Sequence, residues 1–232
     1  MNQPFADRRA AGAELAAKLG HFANRDDVVV LALPRGGVPV AFEVAEALEV
    51  PLDIFLVRKL GMPGYRELAM GAIASGGVRV LNEEVVRWFG ISDRAIEAVA
   101  RDEQRELERR EREYRRGRSM ADLRNKIAIL IDDGLATGST MRAAVQAVRQ
   151  HAPARVIVAV PVGAPSTCAE FEDVTDETIC ARTPEPFSAV GLWYRDFSQT
   201  TDEEVHTLLD QHMRSCAGHQ RGGDHAERSS HA

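Results

Sequence analysis

At 232 residues with a formal net charge of −6, the chain has the length of one α/β domain with additions, long enough to bury a full core. The acidic balance speaks against a dedicated nucleic-acid binder, and the lack of a long apolar run speaks against a membrane span. Cys168, Cys180 and Cys216 lack metal-ligand spacing; with no signal peptide legible, they predict buried or incidental thiols in a reducing cytoplasm.

In chain order, Asp7 is placed to cap a helix over Ala13–Leu19, with Leu15 and Leu19 four residues apart on one face. Arg8 and Arg9 read as solvated. Val28–Leu33 is a short apolar run rich in β-branched residues, the composition of a strand buried on both faces. Pro34-Arg35-Gly36-Gly37 ends it, and Val38–Leu48 reads as a helix. Adjacent glycines there permit torsions that other residues resist, so N–H groups can turn towards an anion, although ordinary βα turns also use glycine. Pro51–Val57 predicts a third strand, followed by Arg58-Lys59. The stretch Gly61-Met62-Pro63-Gly64-Tyr65-Arg66-Glu67-Leu68, then Gly71 and Ser75-Gly76-Gly77, is glycine-punctuated in the manner of lids and binding loops. Ala69–Ala74 and Val78–Leu81 within it read as a hairpin.

Asn82–Gly117 is charged and helical. Glu97/Arg101, Glu106/Arg110, Glu108/Arg112 and Glu111/Arg115 are i,i+4 pairs of favourable orientation. Ile96, Val99, Leu107 and Tyr114 supply a thin apolar stripe, which suits a solvated helix docked along one edge. The sharper alternative has Arg109, Arg110, Arg112, Arg115, Arg116 and Arg118 facing a subunit neighbour or a polyanion. Their mixing with glutamates argues against a nucleic-acid stripe.

The chain is organised around Lys126–Ala143. Ile127–Ile131 is a second buried strand, and Asp132-Asp133 stand at its end. A small-residue loop, Gly134 to Thr140, then enters a helix beginning near Met141. Such a junction lets the backbone pass close to a ligand, adds the hydroxyls of Thr137, Ser139 and Thr140, and aims the unpaired N–H groups of the helix at it. Carboxylates beside a phosphate cradle repel phosphate, so they suit sugar hydroxyls or a cation held through water. A phosphate next to a vicinal diol describes a ribose 5-phosphate. The bland reading, acids that end a strand and a serine that caps a helix, explains each residue but not their conjunction. Beyond it, Arg155–Val160 predicts a strand, Ser166–Phe171 a short helix, Glu177–Ala181 a strand and Asp202–Leu209 a last helix. Thr183–Phe197 concentrates aromatics, and from Ser215 the Gly/His/Arg/Ser-rich tail reads as disordered. His219, His225 and His231 lack the spacing of a metal site.

Four apolar residues, two acids and a Thr/Gly-rich loop closing in G-x-T resemble the phosphoribosyl-pyrophosphate (PRPP) signature of the type I phosphoribosyltransferase family. Neither a Walker A loop nor G-x-G-x-x-G is present, which sets a dinucleotide-binding oxidoreductase aside. The alternation of strand and helix independently indicates a parallel sheet with ligands beyond its carboxyl ends. The resemblance implies an α/β fold, a type I phosphoribosyltransferase-like parallel sheet with helices on both faces, a small C-terminal hood and a helical insertion. It would form one domain over 1–214, with a flexible loop and helical insertion at 61–118, the hood at 183–200 and a disordered tail at 215–232.

The resemblance further implies an Mg2+-dependent transferase that moves 5-phosphoribosyl from PRPP to a nitrogen acceptor and releases pyrophosphate, and it leaves room for a homodimer. Asp132, Asp133, Ala136, Thr137, Gly138, Ser139 and Thr140 would bind the ribose 5-phosphate, the two acids also holding the metal through water. Arg35, Gly36, Gly37 and Lys59 would meet the pyrophosphate, and Phe187, Val190, Trp193, Tyr194 and Asp196 are hood candidates for the base. Members that salvage 6-oxopurines carry a carboxylate where this chain has Ala136 and a lysine after the strand that here continues Pro161-Val162-Gly163-Ala164-Pro165. Their absence disfavours hypoxanthine and guanine. The loop is similar to that of adenine phosphoribosyltransferases, which keep a glutamate in the lid; Glu67 is the matching carboxylate, catalytic together with Lys59. The rival expectation is a regulatory protein that binds PRPP or a nucleotide without turnover.

Overall fold

The computed structural model describes residues 3–227, without the side chains of 66, 67 and 217–227. Chain order runs Arg8–Lys18 (α1), Val28–Ala32 (β1), Gly37–Leu48 (α2), Leu52–Ile54 (β2), Val57–Met62 (β3), Tyr65–Ala74 (β4), Val78–Leu81 (β5), Glu83–Trp88 (α3) and Asp93–Arg115 (α4). It continues with Ile127–Ile131 (β6), Ser139–Arg149 (α5), Arg155–Val162 (β7), Pro165–Glu172 (α6), Glu177–Arg182 (β8) and Asp202–Glu227 (α7).

The main sheet is parallel throughout, in the order β2-β1-β6-β7-β8. All residues of β1 and β6 are buried, as their apolar runs require. Because side chains alternate across a strand, Val28, Val30, Ala32, Ile127, Ile129 and Ile131 pack on one face with α1, α2, α4 and α7. Val29, Leu31, Ala128 and Leu130 pack on the other with α5 and α6. Burial on both faces accounts for the unbroken apolar runs in the sequence.

Three stretches depart from expectation. The strand predicted over Pro51–Val57 is two strands in two sheets. After β2 the Phe55 N–H still donates to Ala32 of the main sheet, but the Leu56 N–H donates to Ser75 Oγ, and the chain crosses into an antiparallel sheet ordered β3-β4-β5. The loop expected at 61–68 is the tip of that sheet's first hairpin. Met62 pairs with Tyr65 around Pro63-Gly64, and Gly64 takes φ 84°, the left-handed torsion a Pro-Gly turn needs. The second hairpin, β4 to β5 through Ser75–Gly77, is as the sequence predicts.

The third departure is at the carboxyl end. There α7 runs on past Leu209 to Glu227, across the start of the stretch from Ser215 that the sequence predicts to be disordered. A helix already nucleated at Asp202 extends cheaply, and His212 keeps its face buried one turn before Cys216. Cys168 and Cys180, read as thiols, form a disulfide between α6 and β8. The tight return from α6 into β8 brings the two sulfurs together beside Gly163, where a side chain would collide with Cys168.

The helical region breaks at Gly90 into α3 and α4, and Ile96, Ala100, Leu107 and Tyr114 form the buried stripe of α4. Arg115, one of the arginines of the sharper reading, is buried. Its guanidinium bonds Asp53, Glu111 and the Ile54 carbonyl, at 3.1, 2.8 and 2.7 Å. Among the described residues no helix is long and apolar enough to cross a membrane.

Candidate functional site

The register Val28↔Ile127 through Ala32↔Ile131 makes β1 and β6 end level. The turn after β1 and the acid loop after β6 therefore lie side by side. The glycines of Arg35-Gly36-Gly37 answer to that closeness. A Cβ on Gly37 would stand 2.6 Å from the Ile131 carbonyl oxygen, and one on Gly36 would run into the Asp133 carboxylate. The Pro34–Arg35 peptide is cis.

Backbone bonds tie the acid loop to its neighbours. Leu135 N–H donates to Val162 at 2.9 Å, and Ala164 N–H returns to Leu135 at 2.8 Å. Thr167 Oγ1 donates to the Ala136 carbonyl at 2.6 Å and Tyr194 Oη to the Asp133 carbonyl at 2.5 Å. Gly138, at φ 69°, caps α5 against Phe171 and Thr167, where no Cβ fits. The first turn of α5 presents N–H groups without intrahelical partners beside the exposed Thr137, Ser139 and Thr140. This is the geometry of an anion cradle.

The acids are electrostatically strained. Burial, then the charge of Asp133, pushes the Asp132 carboxyl well above the usual carboxylate range. Burial also raises Asp133, against the pull of Arg8. Arg8, read from sequence as solvated, belongs to the site. Its Nε and Nη2 each lie 2.9 Å from Asp133 Oδ2, Nη1 donates to the Ser198 carbonyl, and the guanidinium sits 4.0 Å over the Phe197 ring. Nothing in the sequence marks it, because the pairing spans 125 positions and arises from docking α1 beside the sheet. Arg9, by contrast, is exposed and paired with Glu43.

The other predicted residues divide. Lys59, on β3, is exposed and lines a cavity of about 560 Å3 together with Thr137, Ser139 and Arg142, so the hairpin sheet and the phosphate loop share one cleft. Arg58 is taken by Glu103 at 2.5 Å. The Arg35 guanidinium turns towards α7, with Nη1 3.8 Å from Asp202. Glu67 lies on β4, and its side chain is outside the described residues. Phe187, Val190 and Trp193 pack around Phe5, Ala11, Val162 and Tyr194. The hood is thus built jointly with the amino-terminal segment: Phe5 N–H donates to Trp193, and Asp196 N–H to Ala6. Val190 covers Gly134 of the acid loop, where a side chain would collide with it. The Asp196 carboxylate accepts the Ser198 N–H, which also holds it below its usual range.

As metal donors the chain offers little by itself. Among the described residues no group of three or more His, Cys, Asp or Glu could hold an ion. Asp132 Oδ1 accepts the Asp133 N–H, and Arg8 occupies Asp133. Two adjacent carboxylates of this kind fit a hard cation held mainly by water and by a ligand's own oxygens.

Comparisons with known proteins place these features. A family model described as "Phosphoribosyl transferase domain" matches residues 6–183. "Putative phosphoribosyl transferase Rv0571c" of Mycobacterium tuberculosis is 49% identical over 213 residues, covering 92% of this chain and 48% of that protein. Its counterpart from a second strain matches equally. The chain spans about half the length of the curated relatives it matches. The crystal structure of the protein TT1426 from Thermus thermophilus superposes with a TM-score of 0.79 at 42% identity, over 89% of this chain and 98% of that one.

Proposed function

The chain belongs to the phosphoribosyl transferase domain family, and from that premise we propose that it transfers the 5-phosphoribosyl group of PRPP to a nitrogen acceptor, releasing pyrophosphate. The observation that carries the reading is the level ending of β1 and β6, which sets a close-packed glycine turn, an acid pair and a helix N-terminus around one space.

The N–H groups of Thr137–Thr140 and their hydroxyls bind the 5-phosphate. Asp132 and Asp133 accept the ribose hydroxyls. Asp133 comes pre-oriented by Arg8, which shares one oxygen and leaves the other open. A nitrogen lone pair attacks C1 as the C1–O bond to pyrophosphate breaks, so positive charge grows on the ribose and negative charge on the leaving group. Lys59 and the N–H groups of Arg35 and Gly36 meet the second of these, while the Gly37 N–H is bound to the Leu33 carbonyl and Gly37 serves by its close packing. Mg2+, when bound, would neutralise pyrophosphate charge, held through water by Asp132 and Asp133. The β3–β4 hairpin closes over the cleft and keeps water from PRPP. Glu67 takes the acceptor's proton. Phe187, Val190 and Trp193 form the apolar wall of the base site. Ala136 carries no side-chain acceptor, so hypoxanthine and guanine are poor substrates and adenine-like bases are favoured.

The test is pyrophosphate release from PRPP and Mg2+ across a panel of bases, with mass detection of the nucleotide formed. Release with a non-6-oxo base is expected. Tight PRPP binding with no release from any base would favour a regulator instead. A contiguous arginine face over residues 82–118 would also favour that reading. Arg109 and Arg110 pair with Glu106, Arg112 with Glu108, Arg116 with Asp210, and Arg115 is buried.

A further inference from the structure

At the opposite, amino-terminal end of the parallel strands lies a second cavity of about 370 Å3. Its walls are the end of α2 with Glu46 and Glu49, the turn before β1 with Arg25 and Asp26, and the buried side of α7 with His212 and Cys216. His212 is 4% exposed. Its Nδ1 lies 2.5 Å from Glu46 Oε1 and its Nε2 3.4 Å from Cys216 Sγ. A carboxylate only accepts, so Nδ1 carries a proton, and in the neutral ring Nε2 is left as the acceptor for the thiol. The i,i+4 spacing of His212 and Cys216 on one helix sets the second contact; the packing of α7 on α2 sets the first.

A histidine buried only for packing is satisfied by one strong partner. Here the second nitrogen faces a half-buried cysteine that opens on a cavity, which is the arrangement of nucleophile, base and orienting group used in covalent chemistry. Cys168 and Cys180 are bonded to each other, leaving Cys216 as the free cysteine. Among the described residues the cavity's charges are Glu46, Glu49 and Asp26 against Arg25, whose guanidinium is doubly engaged by Asp27. An entering molecule meets an excess of negative charge.

We propose that Cys216 is a modification site, a thiol activated by His212 and Glu46 that exchanges with small cationic disulfides entering this cavity. Cys216 Sγ attacks one sulfur of the reagent while its proton passes to His212 Nε2. The reagent's S–S bond breaks, and the departing thiolate takes the electron pair and then the proton from the imidazolium. The products are a mixed disulfide on Cys216 and one free thiol. Burial and the nearby Glu46 charge push the Cys216 thiol up, so little thiolate stands ready at neutral pH. Reaction therefore depends on the proton passing to His212 during attack.

The probe pair is cystamine, a dication, and dithiodipropionate, a dianion, each added to the full chain near neutral pH. Intact mass and peptide mapping follow the adduct. One cysteamine adduct at Cys216 is expected, formed at least about tenfold faster than the propionate adduct. Glu46→Gln and His212→Gln should each slow it by at least about tenfold, a threshold set below the roughly 10²–10⁴-fold a positioned base contributes. Cys216→Ser should abolish the adduct and leave PRPP binding unchanged. Equal rates in wild type and Glu46→Gln, no preference for the dication, or an adduct confined to Cys168 or Cys180 would each overturn the proposal. If His212→Gln fails to fold, as its thermal melt would reveal, Glu46→Gln at its part-exposed position decides.

Discussion

The two walls of the cleft that holds Lys59 and Thr137 are built by different means. The wall carrying the acid loop rests on strands buried at every residue, and backbone bonds with Val162 and Ala164 and hydroxyl bonds from Thr167 and Tyr194 fix the loop itself. The facing wall, β3–β5 with α3 and α4, is laced internally by ion pairs such as Arg58–Glu103 and Arg79–Glu97, and Leu60, Met70 and Leu107 tie it into the core beneath the sheet. Arg58–Glu103 is part-buried and Arg79–Glu97 exposed; pairs at the surface contribute about 0–1 kcal/mol each. A buried cation, Arg115, anchors its far end. In the proposed reaction the first wall would hold the ligand in fixed geometry and the second would close over it, with Arg115 as its buried ionic tie to the main sheet.

Three perturbations test that contrast, in descending size. Arg115→Ala strips the buried anchor and leaves Asp53 and Glu111 without their cation. Losing one partner of a buried ionic network costs about 3–5 kcal/mol, so urea unfolding should show a drop of that order. An unchanged midpoint would mean that α4 is held by its apolar stripe alone. Next, Asp132→Asn with Asp133→Asn acts on the fixed wall, where the carboxylates are already disfavoured by burial. Thermal stability should hold while PRPP affinity, measured by calorimetry, falls at least about tenfold, about 1.4 kcal/mol. Undiminished affinity would remove the acid pair from the site. The smallest effect belongs to the facing wall. Arg58→Ala should cost under about 1 kcal/mol of stability, yet speed amide exchange in residues 61–77 of the free protein. PRPP with Mg2+ should slow that exchange in the wild type. Equal exchange with and without ligand would leave the hairpin no role in closure.

Much of the fixed wall was legible before any coordinates. Runs such as Val28–Leu33 and Ile127–Ile131 read as doubly buried strands, and the acid pair before a glycine- and hydroxyl-rich loop read as a sugar-phosphate junction. The facing wall is harder to read. Pro51–Val57 carries one continuous apolar pattern, and no local signal marks Phe55 as the point where the chain changes sheets. The Pro63-Gly64 turn reads as part of a loop because glycines punctuate the whole segment around it.

What the sequence determined by itself is what depends on near neighbours along the chain: which segments alternate or run apolar, where glycine frees the backbone, which helix opens with unpaired N–H groups. Asp7 capping α1 through the Ala10 N–H is of that kind. What only the tertiary structure decided are the meetings of charged and sulfur-bearing side chains across long separations. Arg8 reaches Asp133, Arg115 reaches Asp53, His212 reaches Glu46 and Cys168 reaches Cys180. Composition is nearly silent about them because an arginine or a cysteine satisfies local rules equally well in solvent or in a site. Its partner is chosen by how helices dock on the sheet, and that choice is governed by the apolar faces, not by the polar residue itself.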